Sequence, residues 1–509
     1  MAIKMSGLAS GMDTESMVKE LMNAQRLKET KMQNKQTTTE WKQDKWKALN
    51  TKIYSFYTGA LSKLKFQSSF NTKAATSSNE SKATITANSA ATKGTHTLKI
   101  SQLAKSQFVT GDTLSSGVTT STKLTDLNYA IGDSISVKTG STTTTLDITD
   151  TSTVGDLVAK LKSAGLNANY DTTQNRFFIS SKNSGSANAF SLSSTNTTGL
   201  AALGLNTIDA SGTTPIVSGS SGMVLVASTD AKFEYNGVAM TNSSNTVTVN
   251  GLTITMKAVT DGSATPTTTD DEVINLNVTN NTQASYDMVK NFVKEYNALL
   301  KEMNADYDAD SASGYTPLTE DQKDKMSDTE IEKWEGKIKT SLFRRDDNLS
   351  SIINTMRSNM SGAVTVDNKK YSLSSFGIGS SNYTEKGTLH IDGDSEDSLV
   401  SGKTNKLMDA LENDPDTVAS ALTQMASNLY SSFTDSMKSS SLRSALTMYN
   451  DKELSSQITG YKQDITKYES KLTEMENKYY KQFSAMETAM SKMNSQSSSL
   501  ASMLGTGNS

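Results

Sequence analysis

A few residue groups have the types and spacing to do chemistry. Asp306, Asp308 and Asp310 alternate as the first ligands of a calcium loop do, since a hard cation collects oxygens from alternate positions of a tight loop. The sixth position of that loop is Ser311 rather than glycine, and the twelfth is Pro317 rather than glutamate. With neither the sharp turn nor the bidentate ligand, a solvated acidic loop is expected. Asp392, Asp394, Glu396 and Asp397 form a second acidic cluster without the glycine in place, and it reads the same way. Arg344–Arg345 stand beside Asp346–Asp347, expected to be a local charge pair at a helix start rather than an anion site. The chain has no cysteine, and its two histidines, His96 and His390, are far apart. A disulfide, a thiol nucleophile, a zinc site and a histidine acid–base centre are therefore not expected. Nor does any glycine-rich phosphate loop or nucleophile elbow occur. The reading is of a chain that is no enzyme, with no metal and no cofactor.

The bulk properties agree. In 509 residues, 35% are hydrophobic and 20% charged, and 50 basic against 54 acidic residues leave a net charge of −4. No field draws such a chain onto nucleic acid or anionic lipid. No run of 18 apolar residues is present to span a membrane. The start, MAIKMSGLASGMDTESM, lacks the apolar stretch of a secretory signal. The length predicts three or four domains.

The elements that must position these residues follow from proline and periodicity. All four prolines (Pro215, Pro266, Pro317, Pro415) avoid both ends of the chain. Because proline costs a helix interior about 3 kcal/mol, both ends are free to be long helices. The first is expected over 13–66, capped by Asp13, with Val18, Leu21 and Met22 on one face. A polar middle from Lys28 to Lys45 follows, then a strong stripe from Trp46 to Leu64. The second is expected over 451–504. Its seam takes alternating steps of three and four through Leu454, Ile458, Tyr461, Ile465, Tyr468, Leu472, Met475 and Tyr479. It continues through Gln482, Met486, Ala489, Met493, Gln496, Leu500 and Met503, with Phe483, Met490 and Leu504 widening it. A single stripe of this kind cannot bury itself. Antiparallel pairing of the two arms is expected, with full order at the extreme ends depending on assembly. Methionine suits an adaptable interface there, because it fills irregular gaps.

Between the arms, residues 73–282 alternate in short Ser/Thr-rich runs, which predicts β-sheet. One helix is expected inside it, from a Ser152/Thr153 cap through Val154, Leu157, Val158 and Leu161 to Gly165. Helices return with a face from Val289 to Met303. A capping box at Ser327–Glu330 leads Ile331, Trp334, Ile338 and Leu342, and a helix carries Leu349, Ile352, Ile353 and Met356. VTVDNKKYSL (364–373) reads as a hairpin turning at Asp367–Asn368, and 403–448 as helix. The expected fold is a multidomain α+β chain, with antiparallel coiled-coil legs from the two termini, a helical head and nested central β-rich domains.

Long stretches also resemble the bacterial flagellar filament-cap proteins, the flagellar hook-associated protein 2 family. They are SGLASGMDTESMVKELM (6–22), LKISQLAKSQ (98–107), VKNFVKEYNALLKEM (289–303), YTPLTEDQK with MSDTEIEKWEGKIK and LFRRDDNL (315–349), YSLSSFGIG (371–379), GTLHIDGD with DALENDPDTVASAL (387–422), and the end YYKQFSAMETAMSKMNSQSSSLASML (479–504). Residues 131–190 look like the small motif that flagellins and hook-associated proteins also carry. The stretch GDSEDSLVSGKTNKLMDAL departs from the pattern, since the family usually runs more directly from strand into helix.

The resemblance implies export by the flagellar type III apparatus with an export chaperone. It implies a ring of copies, a pentamer favoured, at the distal tip of the flagellum. Such a cap prevents loss of exported flagellin and promotes its folding and insertion as the filament elongates. It also implies legs at 1–45 and 465–509, a head at 46–72 and 283–464, a β-rich domain at 73–119 and 216–282, and a small inserted α+β domain at 120–215. By analogy the legs meet flagellin and the hook–filament junction proteins through Leu8, Val18, Leu21, Met22, Met486, Met490, Met493, Leu500 and Met503. The competing readings are a flagellin-like or hook–filament junction structural protein, or a surface adhesin acting through its β-domains.

Overall fold

The computed structural model describes residues 13–209, 211–212, 215–216, 222–260, 272–380 and 383–505. The chain folds as two compact units, one from Asn71 to Asn281 and the other from the residues on either side of it.

The discontinuous unit opens with α1 (Thr14–Thr58), capped by the Asp13 carboxylate, which accepts from Ser16 N–H at 3.0 Å. The expected single helix over 13–66 is broken: α2 (Ala60–Leu64) follows a kink at Gly59. There φ is −91° and ψ is −106°, and a Cβ would stand 2.7 Å from the Ser55 carbonyl oxygen. Only glycine makes this corner, and the corner turns Leu61 and Leu64 into the core.

In the continuous unit, a five-stranded antiparallel sheet runs in the order Lys73–Ser77, Ile274–Asn280, Gly94–Gln102, Ala231–Tyr235, Val238–Asn242. A three-stranded sheet of Thr246–Val249, Leu252–Met256 and Ala83–Ala87 shares its core of Leu98, Ile100, Phe233, Ile254 and Leu276. Asn236–Gly237 and Asn250–Gly251 turn its two hairpins with positive φ at both residues. That geometry matches the strand twist and selects Asn-Gly.

A second core, from Val109 to Ile208, lies between a four-stranded and a five-stranded sheet and α3 (Val154–Ser163). The Thr153 hydroxyl accepts from Asp156 N–H at 3.2 Å, and the Asp156 carboxylate accepts from Thr153 N–H at 2.8 Å. Val154, Leu157, Val158 and Leu161 are buried beneath that box. A short helix, α4 (Thr197–Ala202), adds Leu200 to the same core.

The chain then returns to the first unit through α5 (Thr282–Tyr307), which buries Val289, Phe292, Val293, Tyr296, Leu299, Leu300 and Met303. After it come α6 (Glu320–Lys323), α7 (Asp328–Ser341), α8 (Asp347–Ser361), α9 (Lys406–Asn413), α10 (Pro415–Ser436) and α11 (Asp451–Leu504). Asp414 ends α9 and caps α10 through Thr417 N–H, with Pro415 at the first helical position. The hairpin at 364–371 turns at Asp367 and Asn368, both with positive φ. One core unites the unit: Trp46, Ile53, Phe56 and Leu61 pack against α5, Leu349, Ile353 and Met356 of α8, and Leu422, Met425, Leu429 and Phe433 of α10. Each such side chain contributes about 1.5–3 kcal/mol by leaving water. Helix α7 departs from its expected face: it buries Ile338, while Ile331, Trp334 and Leu342 stay half-buried. No described helix is long and apolar enough to cross a membrane.

Candidate functional site

Helices α1 and α11 lie side by side and antiparallel. The register is fixed by Gln43 Nε2 donating to Ser455 Oγ at 2.8 Å, Lys462 facing Glu40 at 3.5 Å, and Tyr468 Oη donating to the Gln25 carbonyl at 3.2 Å. Near the head, Ile458 and Ile465 are buried. Farther out, Val18 and Met22 close a small core on Leu472, flanked by Tyr468, Met475, Tyr479, Tyr480 and Phe483. The Lys28 ammonium sits over the Tyr468 ring, 5.3 Å from its centre, and holds the rim of this cluster. Leu454, Tyr461, Tyr468, Met475 and Tyr479 are half-buried along the same seam. The polar stretch of α1 is satisfied by side-chain bonds such as Gln36 to Glu40, 2.9 Å.

Beyond this cluster the seam loses its cover. Met486 and Met490 are half-buried, and every residue from Ser491 to Leu500 is exposed. Met493 is 66%, Leu500 62% and Met503 79% exposed, while Leu21 on α1 is 42% exposed. The structure therefore divides the leg residues inferred from resemblance. Val18 and Met22 are buried inside the chain, at 1% and 3% exposure, whereas Leu21, Met493, Leu500 and Met503 face outward. Leu8 lies outside the described residues. The helical stretch from Ser491 to Met503, about 20 Å long at 1.5 Å per residue, thus carries Met493, Leu500 and Met503 largely exposed to solvent.

The acidic groups find partners at a distance. Asp306 pairs with Lys45 at 2.7 Å, and Asp308 with Lys386 and Arg345. The Lys386 ammonium holds the Asp308 carboxyl below the usual carboxylate range. Asp392 pairs with Lys403, and Asp394 and Glu396 share Lys290. The expected local pairing within Arg344–Asp347 is corrected. Arg345 reaches Asp308, while Asp346 caps α8 through Leu349 N–H and binds Lys42 at 2.7 Å. Neighbours along the chain there point to different elements. Among the described residues no group of three His, Cys, Asp or Glu could hold a metal ion.

Sequence reasoning missed the setting of His390. The short pairing of Ile378–Gly379 with His390–Ile391 brings its ring between two carboxylates. Nδ1 lies 2.5 Å from Asp397 Oδ2, and Nε2 2.8 Å from Glu385 Oε2. Burial works to lower the His390 pKa, but Asp397 and then Glu385 outweigh it and raise it above the ordinary value. A cation whose folded pKa is raised stabilises the fold fully below its unfolded pKa, about 6.5. That contribution is lost as pH rises through the folded value. Melting temperature measured from pH 6 upward should fall more steeply for the parent than for His390→Gln, which has no such proton to lose. Parallel profiles would remove the ion-pair assignment.

The family described as flagellar hook-associated protein 2 C-terminus matches residues 228–495, and that described as flagellar hook-associated protein 2 N-terminus matches residues 10–107. Flagellar hook-associated protein 2 of Halalkalibacterium halodurans is 29% identical, over 98% of this chain and 99% of its own length. The A-type flagellar hook-associated protein 2 of Pseudomonas aeruginosa is 26% identical over 58% of this chain and 61% of its own. In fold, the D1–D2–D3 domains of the flagellar cap protein FliD from Escherichia coli superpose with a TM-score of 0.50 at 21% identity, over 76% of this chain and 95% of that one. The two matched segments flank the inserted small domain and take in the β-rich core, the helical core and most of α11, and on that ground the chain belongs to the flagellar hook-associated protein 2 family of filament-cap proteins.

Proposed function

We propose that this chain leaves the cell by the flagellar type III route and assembles as a ring at the distal end of the filament. There it keeps exported flagellin from escaping and promotes its folding and insertion. The legs, 1–45 and 465–509, contact flagellin and, before filament growth, the hook–filament junction proteins. The head is 46–72 with 283–464. The β-rich domain and the small domain inserted in it, together 73–282, form the plate.

The observation that carries this reading is the exposed end of α11. Met493, Leu500 and Met503 continue the seam that is filled nearer the head, yet lie 66%, 62% and 79% exposed. A moving cap needs contacts that hold and then slip. Methionine-rich helix surfaces offer many near-equal packings.

The test is made in cells. Electron microscopy with a label on this chain should show it at filament tips, and its deletion should release flagellin into the medium as monomer. Label along the filament shaft, or normal filaments after deletion, would refute the proposal.

A further inference from the structure

Helices α6 and α7 form an arm that leaves the helical unit with little core of its own. Of the 14 residues of α7, Ile338 is the one buried. The arm is nonetheless built. Capping boxes close both helices at Thr319 and Ser327. Trp334 packs on Tyr315 at 4.5 Å and donates Nε1–H to the Thr316 carbonyl at 2.9 Å. The base is thus fixed and the tip is presented to solvent. From Glu320 to Glu332 six acidic residues oppose Lys323 and Lys325, an excess of four negative charges. Asp321, Asp324, Asp328 and Glu332 are exposed and make no ion pair among the described residues.

A groove of about 790 Å³ lies between α1 and the base of that arm. Lys31, Lys35, Lys42 and Arg344 line it with Tyr315 and Tyr461, and among the described residues no acidic one does. Lys42 is held by Asp346 at 2.7 Å. Lys31, Lys35 and Arg344 are exposed and unpaired among the described residues. The free acids of the tip and the free cations of the groove do not meet within one chain.

We propose that the groove receives the acidic tip of the α6–α7 arm of a second copy. Donor and acceptor patches differ, so the contact is head-to-tail, the kind that closes rings. It deepens the ring proposed above and rests on it. Complementary patches of this sort set register and speed encounter more than they add affinity. The tyrosines supply the uncharged contact area around the lysines.

The test uses the full chain in sedimentation velocity at low salt. The arm variant is Asp321→Lys with Asp324→Lys and Asp328→Lys. The groove variant is Lys31→Glu with Lys35→Glu and Arg344→Glu. All six residues are exposed, so circular dichroism should match the parent; Asp→Asn and Lys→Gln versions serve where it does not. Each reversed variant should self-associate roughly tenfold or more weakly than the parent, and a chain carrying both sets should recover most of that loss. Raising salt should weaken the parent in the same direction. Parent-like assembly of both single-sided variants overturns the contact and leaves the ring reading standing. A loss in the groove variant that the double set fails to recover also overturns it, and points to an acidic partner other than this chain. A parent that stays monomeric at all concentrations sinks the ring reading and the contact together.

Discussion

Replacing Met493, Leu500 and Met503 together by serine will leave the isolated chain as stable as the parent and stop filament growth. The three side chains are 66%, 62% and 79% exposed, so removing them gives up little burial. Surface changes of this kind usually stay within about 0.5 kcal/mol each. In the assembled filament tip the same side chains would lie against flagellin, where each buried apolar side chain contributes about 1.5–3 kcal/mol. Losing three per leg in every copy of a ring should release the cap. The readouts are thermal unfolding of the pure protein, filament length by electron microscopy, and flagellin monomer in the medium. A companion measurement is amide exchange of the free chain: residues 491–503 should exchange fastest within α11, because every side chain from Ser491 to Leu500 is exposed. Removing 1–45 and 465–509 together should have the same cellular effect in full. Full-length flagella on cells carrying either change would end the proposal that the legs grip flagellin. Leu472→Ala is the contrasting substitution, since Leu472 fills the seam between Val18 and Met22 inside the chain and its loss should loosen the leg itself.

Trp46→Ala should be the most destabilising substitution in the helical unit. Trp46 is 1% exposed, packed on Phe343 at 4.5 Å and stacked on Tyr449 at 5.3 Å. It therefore joins α1, the turn after α7 and the approach to α11, three segments far apart in sequence. Truncating a buried tryptophan costs about 3–5 kcal/mol, because the cavity collapses only in part. At about 2–4 °C per kcal/mol for a unit of this size, the melting temperature should fall by on the order of 10 °C. Trp334→Ala is the internal control. Its ring is half-buried on Tyr315 and its N–H bond is exposed, so it should cost only about 1 kcal/mol. Near-equal losses for the two would mean that the arm, not Trp46, organises the unit.

Local chemistry made much of the fold legible. Asp13 before α1, Thr153 before α3, Ser327 with Glu330, and the turn at Asp367–Asn368 each act within about four residues. The stripes of α5 and α8 were legible too, because a helical period names the buried face whatever it packs against. The break at Gly59 was not, because it depends on a backbone angle rather than on a pattern, and glycine permits many.

Pattern and composition were enough to make both ends long helices with apolar seams, to make the middle Ser/Thr-rich sheet, and to exclude thiol chemistry. The packing decided which seam residues are covered: Val18 and Met22 of α1 close over Leu472, while Leu500 and Met503 farther along the Leu472 stripe of α11 are exposed. It also decided that Ile331 and Leu342 stay half-buried, that Asp308 takes Lys386 and Arg345, and that His390 stands between Glu385 and Asp397. The reason is the same in each case. Periodicity and capping are set by neighbours along the chain, but burial and ion pairing are set by whichever distant segment, or other molecule, arrives beside them.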